Sequence, residues 1–328
     1  MSVVFRCDAG TEFGLGHLSR CMVLANSLLR KGVSTRFVIH GPESIYKKII
    51  RGGHQIHILN NAINDYEDPS QWIDNAKFAL LDSPKISEDY VKKIASIAKV
   101  GFFDDDIARD YDVDLIINNH LWANISDYTK KYRSRYLLLG SKFNTVDPDF
   151  FNKVQERHCL LLTMGGEDPH NVTSLIIREL AKIKIDMPIV IIVGPSHPRP
   201  DDVTNDVKKY LPLAKLYYSP DSLVSFMKIA HIAITAGGTT CYELAASKIP
   251  FAVFALEQSQ IKLSQTMVKF GLGVSIGSYN DFNGAMLSKA LNKIGNKENC
   301  NSIINAGSKL YPRSGVDFIT DTLLKIYK

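Results

Sequence analysis

Short apolar runs alternate along nearly the whole chain with longer stretches in which apolar side chains return every three or four positions. Val3–Phe5, Arg36–Ile39, Ala79–Leu81, Val100–Phe103, Asp114–Ile117 and Tyr136–Leu139 read as strands of a first half. Between them, Ser19–Lys31, Glu43–Arg51 and Glu88–Lys99 carry the helical spacing. Gly140–Arg157 breaks the series with Gly140, Asn144, Pro148 and several charges, and is expected to be a linker. The pattern then resumes, with strands at His158–Thr163, Ile189–Val193, Ala214–Tyr217, Ile232–Thr235 and Phe251–Phe254. Helices are expected at Asn171–Ile183, Asp202–Tyr210, Ser219–Ala230, Thr240–Ser247 and Gln258–Phe270. A last helix, Gly315–Tyr327, can pack on either half. Strands this apolar, separated by helices, predict parallel sheets covered on both faces. The expected fold class is α/β, with two doubly wound, Rossmann-like domains (residues 1–145 and 156–328) facing across a cleft, the place where such sheets take ligands.

A length of 328 residues suits two such domains. The 39 Lys and Arg against 34 Asp and Glu leave a charge of +5, enough to favour a small anion but too dispersed to predict nucleic-acid binding. Cys7, Cys21, Cys159, Cys241 and Cys300 are odd in number and none is in C-x-x-C spacing, so neither a disulfide framework nor a zinc site is expected. No apolar run reaches the roughly 18 residues of a membrane span. Met1–Phe5 has no basic segment before it and reads as a buried strand, so a cytoplasmic location is expected. The oligomeric state is not legible.

The first candidate chemistry lies in Arg6–Arg20. After the first strand come Arg6, Asp8 and Gly10, then Gly14, Gly16 and His17, with Arg20 in the following helix. Glycines in a strand-to-helix turn admit a ligand close to the backbone, and the first helical N–H groups attract anions. His17 titrates near neutrality and suits proton transfer. The competing dinucleotide fingerprint fails at its third glycine, replaced by Ser19, and no acid closes the second strand.

The second half holds two comparable turns. Thr163-Met164-Gly165-Gly166-Glu167-Asp168-Pro169 follows one expected strand, and Gly237-Gly238-Thr239-Thr240 follows another, with Glu243 one helical turn on. Two glycines with two hydroxyls suit a diphosphate, and a carboxylate at Glu243 suits the hydroxyls of a ribose. Alternatively, Glu243 only complements the helix dipole. Asp104-Asp105-Asp106 invites a metal reading, but a strand end with a helix cap is preferred, and no metal or other cofactor is expected. His54, His57 and His197 are expected in loops, in surface or structural roles.

Together, Arg6-x-Asp8, Gly14-x-Gly16-His17, Arg20, Gly165-Gly166-x-Asp168-Pro169 and Gly237-Gly238-x-Thr240-x-x-Glu243 resemble the UDP-sugar hydrolases of pseudaminic acid synthesis and the related spore-coat polysaccharide proteins. GT-B glycosyltransferases are more distantly similar. The resemblance implies a GT-B fold, a UDP-sugar partner held mainly by the second domain, and metal-independent, inverting hydrolysis at the anomeric carbon. His17 would activate water, and Asp8 would orient His17 or bind the sugar. Gly237, Gly238, Thr239 and Thr240 would hold the diphosphate, Glu243 the ribose, and Gln260 would join the substrate site. The chain departs from the family at three places. Asp82-Ser83-Pro84 stands for Asp-Ser-Tyr, Ser259-Gln260 for Asn-Gln, and Val146-Asp147 for Leu-Arg. Nucleotide-side turns are retained while sugar-side positions differ, which points to a related sugar or to an acceptor other than water. A glycosyltransferase and a non-catalytic nucleotide-sugar-binding protein are therefore the alternative expectations.

Overall fold

The computed structural model describes residues 2–10, 15–59, 68–73, 76–83, 86–107, 112–129, 135–152 and 156–327. The chain forms two units, Met1–Val146 with Ser314–Lys328, and Asp147–Arg313. The first runs β1 (Ser2–Cys7), α1 (Gly16–Arg30), β2 (Ser34–Ile39), α2 (Glu43–Arg51), β3 (Gln55–Ile58), α3 (Ser70–Ile73), β4 (Phe78–Asp82), α4 (Glu88–Ala95), β5 (Lys99–Phe103), β6 (Leu115–Asn118), α5 (Ile125–Thr129) and β7 (Tyr136–Leu139). The second runs β8 (Cys159–Thr163), α6 (Val172–Leu180), β9 (Ile189–Val193), α7 (Pro200–Tyr210), β10 (Lys215–Tyr218), α8 (Val224–Ile229), β11 (Ala230–Ala236), α9 (Thr240–Ala246), β12 (Phe251–Ala255), α10 (Gln258–Lys269), β13 (Val274–Ser278), α11 (Gly284–Gly295) and α12 (Lys297–Leu310). The closing helix, α13 (Val316–Tyr327), returns to the first unit.

Both sheets are parallel, with strand orders β3-β2-β1-β4-β5-β6-β7 and β10-β9-β8-β11-β12-β13. Each reverses direction of winding once, between β1 and β4 in the first and between β8 and β11 in the second. The ligand crevice of an open α/β sheet lies at the carboxyl ends of the strands flanking such a reversal. The carboxyl ends of β1, β4, β8 and β11 are thus the ones the topology marks; Asp82 closes β4, His17 stands in the first turn of α1 after β1, and the Gly165-Gly166 and Gly237-Gly238 turns follow β8 and β11.

Helices cover both faces of the first sheet. Val3 and Phe5 of β1 pack with Leu24 and Leu28 of α1, whereas Val4 joins Val38, Leu81 and Ile94 on the opposite face, and all are fully buried. α13 lays Ile319 and Leu323 into the α1 side of this core. It is tied there by Lys31, whose Nζ donates to Thr320 Oγ1 at 2.9 Å and Asp321 Oδ1 at 2.6 Å. The approach to α13 needs a glycine, because a β-carbon on Gly315 would lie 2.6 Å from backbone atoms of Asn144 and Lys142. The second sheet has an equivalent core, built from Leu160, Leu162, Ile191, Ile234 and Phe254 with α6 and α11.

Two strands, β3 and β13, and four helices, α3, α5, α11 and α12, lie outside the segments expected from the hydrophobic pattern. His57, expected in a loop, lies on β3. His54 is buried, with its ring nitrogens against Thr35 Oγ1 (2.5 Å) and Asn26 Oδ1 (3.0 Å), a structural placement. All five cysteines are free thiols. Among the described residues no helix is long and apolar enough to cross a membrane.

Candidate functional site

β1 and β4 pair in register, Cys7 opposite Asp82, so the two strands end level. Gly16 opens α1, and His17 follows as its second residue. The imidazole Nδ1 lies 2.7 Å from Asp82 Oδ1. Asp82 is buried and His17 is 21% exposed, so a buried carboxylate holds one edge of a ring that stays partly open to solvent. An Nδ1–H donating to Asp82 leaves the lone pair on Nε2, the arrangement of a general base.

Arg20, one turn along α1, lies beside the same carboxylate. Its Nε and Nη2 donate to Asp82 Oδ2 and Oδ1, each at 2.5 Å, and its Nη1 and Nη2 donate to the two oxygens of Asp105 at 2.9 Å. The guanidinium stacks on the Phe103 ring at 4.2 Å. Arg20 was expected to contact ligand, but four of its donor contacts are spent on these carboxylates. Cys21 adds a thiol hydrogen bond to Asp82 at 3.5 Å.

Burial pushes His17 toward the neutral form, but the Asp82 charge and hydrogen bond outweigh it, with Arg20 opposing and Asp105 assisting, and the imidazole pKa rises above its ordinary 6.5. Burial pushes Asp82 up, yet Arg20 and His17 leave it below the usual carboxylate range. Asp105 is held well below that range, because Arg20 and His120 overcome its desolvation.

Asp8 does not orient His17. It is buried one residue beyond β1, where Arg6 Nη1 donates to Oδ1 at 2.5 Å and the Ser83 hydroxyl donates to Oδ2. The orienting carboxylate is Asp82, supplied by the neighbouring strand. Arg6 is equally enclosed, so this pair is part of the strand-end packing. Gly14 and Pro84 lie outside the described residues. Of the three consecutive aspartates, Asp104 caps the turn by accepting from Ile107 N (3.0 Å), Asp105 serves Arg20, and Asp106 is exposed. Among the described residues no three His, Cys, Asp or Glu gather as a metal cluster.

In the second unit the β8 turn is built by Gly165, in the left-handed region at φ +83, and closed by Ser196 N donating to Gly166 O at 3.0 Å. Asp168 is spent on this scaffold. Its two oxygens accept from Val172 N and Thr173 N, both at 2.7 Å, capping α6 from a buried position, so it presents no oxygen outward as a ligand contact would. His197 is buried against it, Nε2 lying 3.4 Å from Asp168 Oδ2.

The β11 turn separates its two glycines. A β-carbon on Gly237 would meet Ser264 Oγ at 2.6 Å and Gln260 O at 2.9 Å, whereas one on Gly238 would meet nothing within 4 Å. Gly237 therefore serves the packing of α10, and Gly238 borders open space. Thr239 is exposed, Thr240 is buried at the start of α9, and Glu243 is half-buried one turn further along. Gln260 Oε1 accepts from Leu256 N at 3.0 Å and braces the loop after β12, a local role the sequence reading did not assign it. Ser259 is exposed beside it. Val146 is buried, and Asp147 caps a short 3₁₀ turn through Asp149 N at 2.9 Å.

No family model matches the chain. Among curated proteins it is similar to an uncharacterized protein of Methanocaldococcus jannaschii, 27% identical over 278 residues covering 79% of this chain and 57% of that one. The spore coat polysaccharide biosynthesis protein SpsG of Bacillus subtilis is 24% identical, covering 84% of each chain. The UDP-2,4-diacetamido-2,4,6-trideoxy-beta-L-altropyranose hydrolase of Campylobacter jejuni is 23% identical over 84% of this chain and 98% of its own. The chain thus spans little more than half of the Methanocaldococcus protein. Among solved structures, MurG of Acinetobacter baumannii superposes with a TM-score of 0.68 at 9% identity, covering 99% of this chain and 100% of that one. A spinosyn rhamnosyltransferase complexed with thymidine diphosphate gives 0.66 at 12% identity, covering 98% and 100%. Two parallel-sheet units with these structural neighbours give the chain the GT-B fold, and its sequence relatives include a UDP-sugar hydrolase and a spore coat polysaccharide protein.

Proposed function

We propose that the chain hydrolyses a UDP-activated amino or deoxy sugar at its anomeric carbon, with His17 as general base. The observation that carries this reading is the His17–Asp82 pair, with Nδ1 engaged at 2.7 Å in a side chain that is still partly exposed. In the proposed step Nε2 takes a proton from water as the water oxygen bonds the anomeric carbon. The bond from that carbon to the diphosphate oxygen breaks, UDP leaves with the electron pair, and the configuration inverts. The similarity to the Campylobacter hydrolase supports water as the acceptor. In the second unit the open flank of Gly238, the exposed Thr239 and the half-buried Glu243 are proposed as diphosphate and ribose contacts. Gly165 and Gly166 belong to the same nucleotide side in this reading, with Asp168 as the brace of their turn.

The test is mass spectrometry of a mixed nucleotide-sugar pool incubated with the protein in buffer, reading which donor disappears and what it becomes. Loss of one UDP-sugar with appearance of UDP and the free sugar is expected. Strict dependence on an added hydroxyl acceptor would instead establish a glycosyltransferase, an activity that the same fold hosts in the Rickettsia africae and calicheamicin glycosyltransferases. Tight UDP binding with no turnover would leave a binding protein.

A further inference from the structure

Contacts between charged or titratable groups run unbroken from the partly exposed His17 into the sheet edge. His17 meets Asp82, Asp82 meets Arg20, and Arg20 meets Asp105. Asp105 Oδ1 in turn lies 3.2 Å from His120 Nε2. The His120 ring stacks on Trp122 with centroids 4.0 Å apart and planes 12° from parallel. The contributors come from α1, the end of β4, the loop after β5 and the loop after β6, so four neighbouring strand ends are joined by one line of contacts.

We propose that Asp105, held by His120, is a positioning residue for the His17 imidazole and acts on it through Arg20. The inference rests on His17 being the base of the proposed reaction. Among the described residues the charged groups facing His17 are Asp82 from β4, Arg20 from its own helix and Asp105 from the loop after β5. Arg20 Nη2 is 3.2 Å from Nδ1, and its charge opposes a proton on the ring. Asp105 offsets that charge from the far side. It also fixes the guanidinium plane with two hydrogen bonds, and through that plane the Asp82 carboxylate that aims the ring. Adhesion between strand ends is a poor account of the cluster. A buried ion pair exchanged for apolar packing is often neutral or stabilising.

The experiment follows the His17 ring by NMR titration of ligand-free protein, assigned with His17→Asn, alongside kinetics against pH. In Asp105→Asn the His17 midpoint is expected to fall by about half a pH unit or more. The same variant should lose about tenfold in kcat with KM within about twofold, and Asp105→Glu should restore most of both. His120→Phe keeps a ring on Trp122 but removes the donor, and should lower kcat by about threefold with KM unchanged. An unmoved His17 midpoint in Asp105→Asn overturns the proposal, as does a raised KM at unchanged kcat, which would make Asp105 a substrate contact. The titration needs no turnover, so it tests the coupling separately. Full turnover by His17→Asn would defeat the hydrolase mechanism and leave the coupling measurement standing.

Discussion

Asp82 lies opposite Cys7 in the sheet register, and the carboxylate this places at the end of β4 is 2.7 Å from Nδ1 of His17. The partner of His17 is thus set by which strand neighbours β1 and not by any residue near it in the chain. If His17 is the base, His17→Asn removes the proton acceptor and leaves the second unit untouched. Turnover should fall by about 10²–10⁴-fold, while calorimetric UDP affinity stays within about twofold. Undiminished turnover would sink the mechanism.

The pH dependence follows from the raised imidazole pKa. A general base works as the neutral ring, so kcat/KM should climb with pH through the His17 pKa and level off above it. Because Asp82 raises that pKa above 6.5, the midpoint of the acid limb should lie on the alkaline side of 6.5. Asp82→Asn removes the main raising influence while Arg20 still opposes protonation, so its limb should move to lower pH. The plateau should drop as well, by about 10²-fold or more, because the ring loses its orienting acceptor. A wild-type limb below pH 6, or an unshifted one in Asp82→Asn, would exclude His17 as the titrating base.

How far the sequence reveals this site depends on what holds each part together. α2, β7 and β9 coincide with the expected segments, because apolar or strongly periodic runs are bounded there by Pro42 and Gly52, Arg135 and Gly140, and Pro188 and Gly194. β3 is an edge strand of four residues with its two isoleucines split by His57, and β13 contains Ser275 and Gly277, so neither presents an apolar run. The glycine turns and His17 are local features of a strand-to-helix connection and are legible for that reason. Their partners are not. Asp82 lies 65 residues from His17 and Asp105 lies 85 from Arg20. Only the order β1-β4-β5-β6 brings them together, and no sequence spacing encodes that order. The exchange of Asp8 for Asp82 has the same origin, since two aspartates at neighbouring strand ends are indistinguishable until the sheet is assembled.

Asp168 offers a test of scaffold against ligand contact. Asp168→Ala leaves Val172 N and Thr173 N without their acceptor at a buried helix start. A loss of about 1–3 kcal/mol in unfolding free energy is expected, visible as a lower Tm with or without nucleotide. If stability were unchanged and only UDP binding fell, Asp168 would be a ligand contact after all.

The paired glycines after β11 separate the same two roles within one turn. Gly237→Ala drives a methyl toward Ser264 Oγ and the Gln260 carbonyl, both under 3 Å away, so α10 has to shift. A cost of about 1–3 kcal/mol in stability is expected from that overpacking. Gly238→Ala places its methyl in open space, and stability should change by no more than about 0.5 kcal/mol. If the diphosphate lies along this flank, the same methyl occupies its position, and UDP affinity should fall by about tenfold or more, since lost hydrogen bonds to an anion are worth about 1.5–3 kcal/mol. Thermal unfolding and calorimetry on the two variants read both quantities. Unimpaired UDP binding by a stable Gly238→Ala protein would remove this turn from the nucleotide site.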